Sequence, residues 1–459
     1  MTEQDKKKFK TVPAMDMDEY KQKIREHRLK ILKRTLVTAL IVFVIIAGLF
    51  LFLALRHYED FDVNSTVERS DTAATIFEEF QGNILKYSND GALYTDTYNE
   101  RIWNQTYEMA KPTIDMCEDY LAIYDKKGTQ IYIMTSQGLV SNIETTMTIE
   151  QVSIAAQGTV AVLMGDQSNS YLVVYDKNGK ELVNGAIYGE DGGYPIAIAL
   201  SNDAIKLAVS MLDINDGNVK TTIAFYNFGS VGENEIDRIV SANSFSDMVI
   251  PQLDFVSDDR MVAYGDSEIA IFEGTQKPKL AQEIPLTGEA KSIFNNNKYV
   301  GVVYSNNDEK LTHHVAVYDM HGFTVMEKDF SQEYTEIGFL SNNEVCILND
   351  HSCDIYTVRG IYKFHYDFDE ELYKVISGGT GLNYTIILEN STEKVTLSKT
   401  EIRSTYELVT DYYCVVIGAL RCQRLSQGLL THDVFYGIMG DHVCAGNVGD
   451  AVYQYISEG

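Results

Sequence analysis

Proline is scarce: six in 459 residues, beside 30 Tyr and 19 Phe. Such a composition argues against bulk disorder and suits β-strands. The linear signatures of common chemistry are missing as well. There is no GxSxG elbow, HExxH pair, phosphate-loop pattern or GxGxxG opening a helix. Positive charge is also in short supply. A formal charge of −28 repels phosphate backbones and makes nucleic acid a poor partner.

The little positive charge there is sits at one end. Residues 1–34 hold eleven Lys/Arg against six Asp/Glu, residues 35–55 hold no charge, and the remainder is strongly acidic. The uncharged stretch TLVTALIVFVIIAGLFLFLAL is 21 residues long. As a helix it spans about 31 Å, the thickness of a bilayer core, and it has no polar stripe to lay against a soluble core. Lys21, Lys23, Arg25, Arg28, Lys30, Lys33 and Arg34 precede it, and Glu59, Asp60 and Asp62 follow. The positive-inside rule then predicts a cytoplasmic N-terminus and an extracytoplasmic C-terminal domain. A cleaved signal peptide is the rival reading, but the apolar run is long, the leader extensive, and no small-x-small cleavage site follows. The basic stretch 17–34 reads as a helix attracted to anionic headgroups, so membrane lipid is one expected partner.

Beyond residue 70 short strands recur with a period. An apolar-alternating strand ending in an aromatic and a Gly-containing turn appears as LVVYDKNG (172–179), IAFYNFG (223–229), IAIFEG (269–274), VAVYDMHG (315–322) and DIYTVRG (354–360), with a weaker copy IYIMTSQG (131–138). The markers Met134, Tyr175, Tyr226, Phe272, Tyr318 and Thr357 are spaced by 41, 51, 46, 46 and 39 residues. A period in the forties, filled by about four strands, is the signature of propeller blades. A β-sandwich should not repeat this way. The fold class expected is all-β: a β-propeller preceded by a single transmembrane α-helix. Counting markers gives eight blades; fusing the incomplete ends gives seven, and eight is preferred. The boundaries expected are a leader at 1–34, the membrane helix at 35–55, a linker at 56–70, the propeller at 71–400 and a tail at 401–459. The last module lacks one strand, which either 73–80 or 406–416 could supply.

Together, the basic leader, the single anchor and the propeller with FYNFG (225–229) resemble a bacterial family of membrane-anchored, propeller-like proteins of unknown function. The resemblance covers about residues 30–400. It implies a bacterial cell-envelope location and transfers no catalytic residues. The absence of WD and Gly-His pairs separates the chain from standard WD40 arrays. RIWNQTY, holding the lone Trp103, resembles quinoprotein-like repeats, but the other modules lack that Trp and cofactor binding does not carry over.

Three constellations bear on chemistry. Asp213, Asn215 and Asp216, ahead of Gly217, gather oxygen ligands and form a calcium candidate. The loop is a residue short of the EF-type pattern, lacks its bidentate Glu, and equally fits hairpin-turn chemistry. His313 and His314 are adjacent, so on a strand they point to opposite faces. The cysteines Cys117, Cys346, Cys353, Cys414, Cys422 and Cys444 fit no zinc spacing. Cys346 and Cys353 flank a hairpin turn, but the expected register sets Cys353 against Leu348, and a disulfide would need that register to shift. No catalytic residue, cofactor or metal is assigned beyond that calcium candidate. The functional expectation is an envelope scaffold binding a protein, peptide or glycan. A sensor working through the anchor and an enzyme with channel-mouth carboxylates are the alternatives.

Overall fold

The computed structural model describes residues 17–398, apart from 55, 73, 166–168, 188–192, 216, 307–309 and 380. One α-helix, Met17–Ala54, opens the chain. Within it Lys21–Gly48 is long and apolar enough to cross a membrane, and none of its most apolar window is buried against protein. The Thr35 and Thr38 hydroxyls donate back to the carbonyls of Ile31 and Arg34 at 2.8 and 2.9 Å, so neither polar group is left unpaired in the apolar stretch.

Among the described residues, the strands after the helix form a ring of eight four-stranded antiparallel sheets. The innermost strands, in blade order, are Ile76–Phe80, Pro112–Cys117, Thr148–Ile154, Tyr194–Leu200, Gln252–Ser257, Ala290–Asn295, Glu336–Phe339 and Leu372–Ser377. We call the strands of each blade A to D from the channel outward. The preferred count of eight is the observed one.

Burial explains the order of the strands. B and C strands are covered on both faces by neighbouring blades, and all six residues of Val160–Gly165 are buried. The D strand of the same blade, Glu181–Ile187, has no buried residue and lies largely open to solvent, as an outermost strand does. The repeated marker is the end of strand C with the turn into D. Asp176 accepts hydrogen bonds from the backbone N–H groups of Asn178 and Lys180, each at 2.9 Å, and Asp319 does the same for His321 and Phe323. Gly179 and Gly322 close these turns at φ +81°, a conformation that strains any residue with a Cβ. Aspartate and glycine three residues apart therefore recur because the turn needs both.

Ring closure departs from both expectations. The missing D strand of blade 8 is Asp60–Glu68, paired antiparallel with Ser391–Ser398 in a register running from Asp60↔Ser398 to Glu68↔Ser391. Most of the expected linker at 56–70 is thus structural, and 76–80 within the 73–80 candidate is the innermost strand of blade 1. The other candidate, 406–416, lies with the whole tail 401–459 outside the described residues. Closure follows a physical need: an N-terminal strand locking onto the C-terminal blade covers an edge that would otherwise be left unpaired. Arg69, next to the closing strand, seals the seam. Its guanidinium donates to the Leu388 carbonyl and to Asp71 (3.2 Å), and lies 4.5 and 4.8 Å from the ring centres of Phe77 and Tyr373. Phe77 and Ile84 from blade 1 pack with Ile376 and Ile387 from blade 8.

Candidate functional site: the channel

The A strands surround the channel, and polar side chains set midway along them reach across to the next blade. Gln151 grips the innermost strand of blade 4 with both ends of its amide, accepting from Ile198 N at 2.9 Å and donating to Ile198 O at 3.1 Å. Ser153 accepts from Leu200 N at 3.0 Å, and Asp115 accepts from Ile154 N at 2.7 Å. Asn295 donates its side-chain amide to Asp254. These bonds tie neighbouring A strands together where no sheet ladder exists, which is why polar residues interrupt otherwise apolar strands.

Asp115 and Asp254 each expose some surface, but they belong to the channel wall and are little reached by bulk water. Burial pushes the Asp115 carboxyl from 3.8 up to about 7, against the lowering effect of its hydrogen bond from Ile154, and Asp254 adds to the rise. Burial raises Asp254 too, while the Asn295 amide works the other way.

A cation sits between blades 7, 8 and 1. Lys374 Nζ lies 2.9 Å from Glu78 and 2.7 Å from Glu336. Burial disfavours its charge, but the two carboxylates outweigh that and hold its pKa above the ordinary lysine value. Glu79 stands next to this triad, and burial raises its carboxyl despite a bond from Ser341. Together these groups line a cavity of about 490 Å³. Its walls come from five blades: Glu78 and Glu79, Met116, Phe294 and Asn295, Glu336 and Phe339, and Lys374. Phe294 and Phe339, with ring centres 4.8 Å apart, form its aromatic side. Three carboxylates against one ammonium give the cavity an acidic floor under a partly apolar wall.

None of this was named from the sequence. Glu78, Asp254 and Lys374 each fall third in an A strand, within IFEEF, QLDFVS and LYKVIS. Superposing the repeats would have revealed a charged position recurring where an inner strand should be apolar.

A comparison with family models matches residues 54–397 to DUF5711, a family of unknown function. The chain belongs to this family. No curated protein matches it. Among solved structures the ring is similar to BamB from Moraxella catarrhalis, at 12% identity over 74% of this chain and 100% of that one, TM-score 0.44. It is also similar to the Neurospora crassa Pan2 WD40 domain, at 10% identity over 75% of this chain and 99% of that one, TM-score 0.40.

Of the other sequence candidates among the described residues, Cys346 lines the channel cavity, whereas Asp213, His313, His314, Cys117 and Cys353 do not. Asp213 and Asn215 belong to the long hairpin formed by Lys206–Asn215 and Asn218–Asn227, while Asp216 lies outside the described residues. Asn215 pairs with Asn218 and Gly217 takes φ +82°, as a two-residue hairpin turn requires. Among the described residues no group of three His, Cys, Asp or Glu is placed to hold a metal. His313 and His314 do part to opposite faces. His314 bonds Asp329 at 2.7 Å, and His313 packs against Phe330 at 5.0 Å between ring centres. Cys353 does stand opposite Leu348, yet its sulfur lies only 3.7 Å from that of Cys346, diagonally across the hairpin. Burial and nearby carboxylates push the Cys117 thiol up to about 12, leaving it unreactive. Cys414, Cys422 and Cys444 lie outside the described residues.

Proposed function

We propose that the protein is a membrane-tethered, extracytoplasmic binding scaffold of the cell envelope, whose ring holds a protein, peptide or glycan partner. The observation that carries this reading is the convergence of side chains from five blades on one cavity of about 490 Å³, a size suited to a side chain or sugar unit. A closed ring holds such groups rigidly, and the many turns around it tolerate variation. The basic leader and the acidic domain on either side of the apolar helix support a cytoplasmic N-terminus. Crosslinking in native membranes followed by purification of the intact protein tests the reading. A defined envelope partner, lost when Glu79 and Phe339 are substituted, supports it; recovery of no partner under exhaustive crosslinking refutes it.

Two observations favour second readings. Only residues 55–57 separate the helix from Tyr58, which is already packed in the ring, so a strain at the ring reaches the helix directly, as a sensor needs. Asp115, held near 7, is in the range of a general acid, as an envelope enzyme needs. Turnover of an envelope glycan abolished by Asp115→Asn would favour the enzyme.

A further inference from the structure

The connection between helix and ring decides which end of the ring looks at the bilayer. Residues 55–57 lie between Ala54, where the helix ends, and Tyr58, which is only 6% exposed. Fully extended, that connection reaches no more than about 14 Å. Tyr58 N donates to Lys363 O at 2.8 Å, and the His57 ring stacks on Tyr362 with centres 4.8 Å apart. Asp60 then begins the D strand of blade 8. The D strands of the other seven blades start from C–D turns, and Asp60 lies beside Ser398, the end of the blade 8 C strand, so all the C–D turns, with the A–B turns beside them, lie at the end of the ring where the helix joins. The B–C turns and the links between blades lie at the other end.

Two C–D turns carry bare apolar tips. Phe323, in blade 6, is 69% exposed, and Ile236, in blade 4, is 87% exposed. In a ring of eight, blade 4 is opposite blade 8, where the tether attaches, and blade 6 is two places from it. The tips and the tether are therefore spread around the ring at one end, and not gathered on one side.

We propose that the ring lies flat on the outer leaflet, with Phe323 and Ile236 inserted into the lipid interface; this rests on the reading of the helix as a membrane anchor. A short covalent tether makes the contact effectively intramolecular, so two side chains suffice where a free domain would need more. The lipid it fits is zwitterionic. The described C–D and A–B turns carry twelve Asp/Glu against six Lys/Arg, which an anionic headgroup would repel. Ile214 and Tyr194, 64% and 61% exposed at the opposite end, are held off the bilayer by the height of a blade, about 20 Å.

The chain has one tryptophan, Trp103, which is 9% exposed. The full-length protein, and its Phe323→Trp and Ile214→Trp variants, are reconstituted into phosphatidylcholine vesicles with plain or brominated acyl chains. Flotation first reports whether the helix anchors the protein. In floated vesicles the added emission of Phe323→Trp should fall about two-fold with brominated lipid, as expected for a ring buried in the interface, while Ile214→Trp should match the parent. Replacing half of the lipid with phosphatidylglycerol should reduce that quenching. Equal, unquenched emission from both variants in floated vesicles overturns the proposal and leaves the anchor standing. Failure to float overturns both.

Discussion

Replacing Asp115 with Asn should stabilise the protein at alkaline pH and do little at pH 4. The folded-state pKa is raised, from 3.8 to about 7, so the folded chain keeps a proton that the unfolded chain gives up. Wild-type stability therefore falls as pH rises from about 4, and the whole deficit is present above about 7. At about 1.4 kcal/mol per pH unit the full shift would amount to roughly 4 kcal/mol. Asp115 is only half-buried by exposed area, so about half of that, ~2 kcal/mol, is the expected effect. Asparagine keeps an oxygen to accept the Ile154 N–H, so that link between blades survives. Thermal unfolding of the full chain in detergent, wild type against Asp115→Asn at pH 4 and pH 8, isolates the effect because other titrations cancel. The variant should melt about 4 °C higher at pH 8 and within about 1 °C at pH 4. An equal shift at both values, or a destabilised variant at pH 8, would show that the fold does not raise the pKa of the channel carboxyl.

Three further outcomes follow from the geometry. Lys374→Met leaves Glu78 and Glu336 without their shared cation; both are partly exposed, so the loss should be about 2 kcal/mol at neutral pH, as read from denaturant midpoints. Gly301→Ala would place its Cβ 2.1 Å from the ring of Phe294, itself 8% exposed and packed on Phe339, and should cost about 1–3 kcal/mol in the same assay. A chain ending at Glu401 should melt with the full-length protein, because the closing strand is Asp60–Glu68, whereas a chain beginning at Arg69 should be insoluble or readily cut by protease. Equal solubility and protease resistance of that N-terminally shortened chain would contradict the closure described here.

The period of the fold was legible because a blade turn has strict chemistry: the aspartate that caps the C–D turn and the glycine at positive φ recur with it, as at Asp176 and Gly179 and again at Asp319 and Gly322. The apolar helix was legible for a similar reason, since length and absence of charge are local properties of a segment. Seven of the eight blades are contiguous in sequence, and their count could be read from markers alone. Which segment closes the ring could not. The strand Asp60–Glu68, DFDVNSTVE, is polar and mostly exposed, because an outermost strand buries little and leaves only a weak pattern in its residues. Its place depends on Ser391–Ser398, more than 300 residues away. The channel was hidden by the same kind of distance. Asp254 raises the Asp115 carboxyl from across three blade boundaries, and Lys374 meets Glu78 from the far end of the domain. By itself the sequence determined the repeat, the strand type and the apolar helix, since each is set by neighbours along the chain. Closure of the ring, the charges that converge in its channel and the end that meets the tether were decided only by tertiary structure, because a circular arrangement joins residues with no local signal of each other.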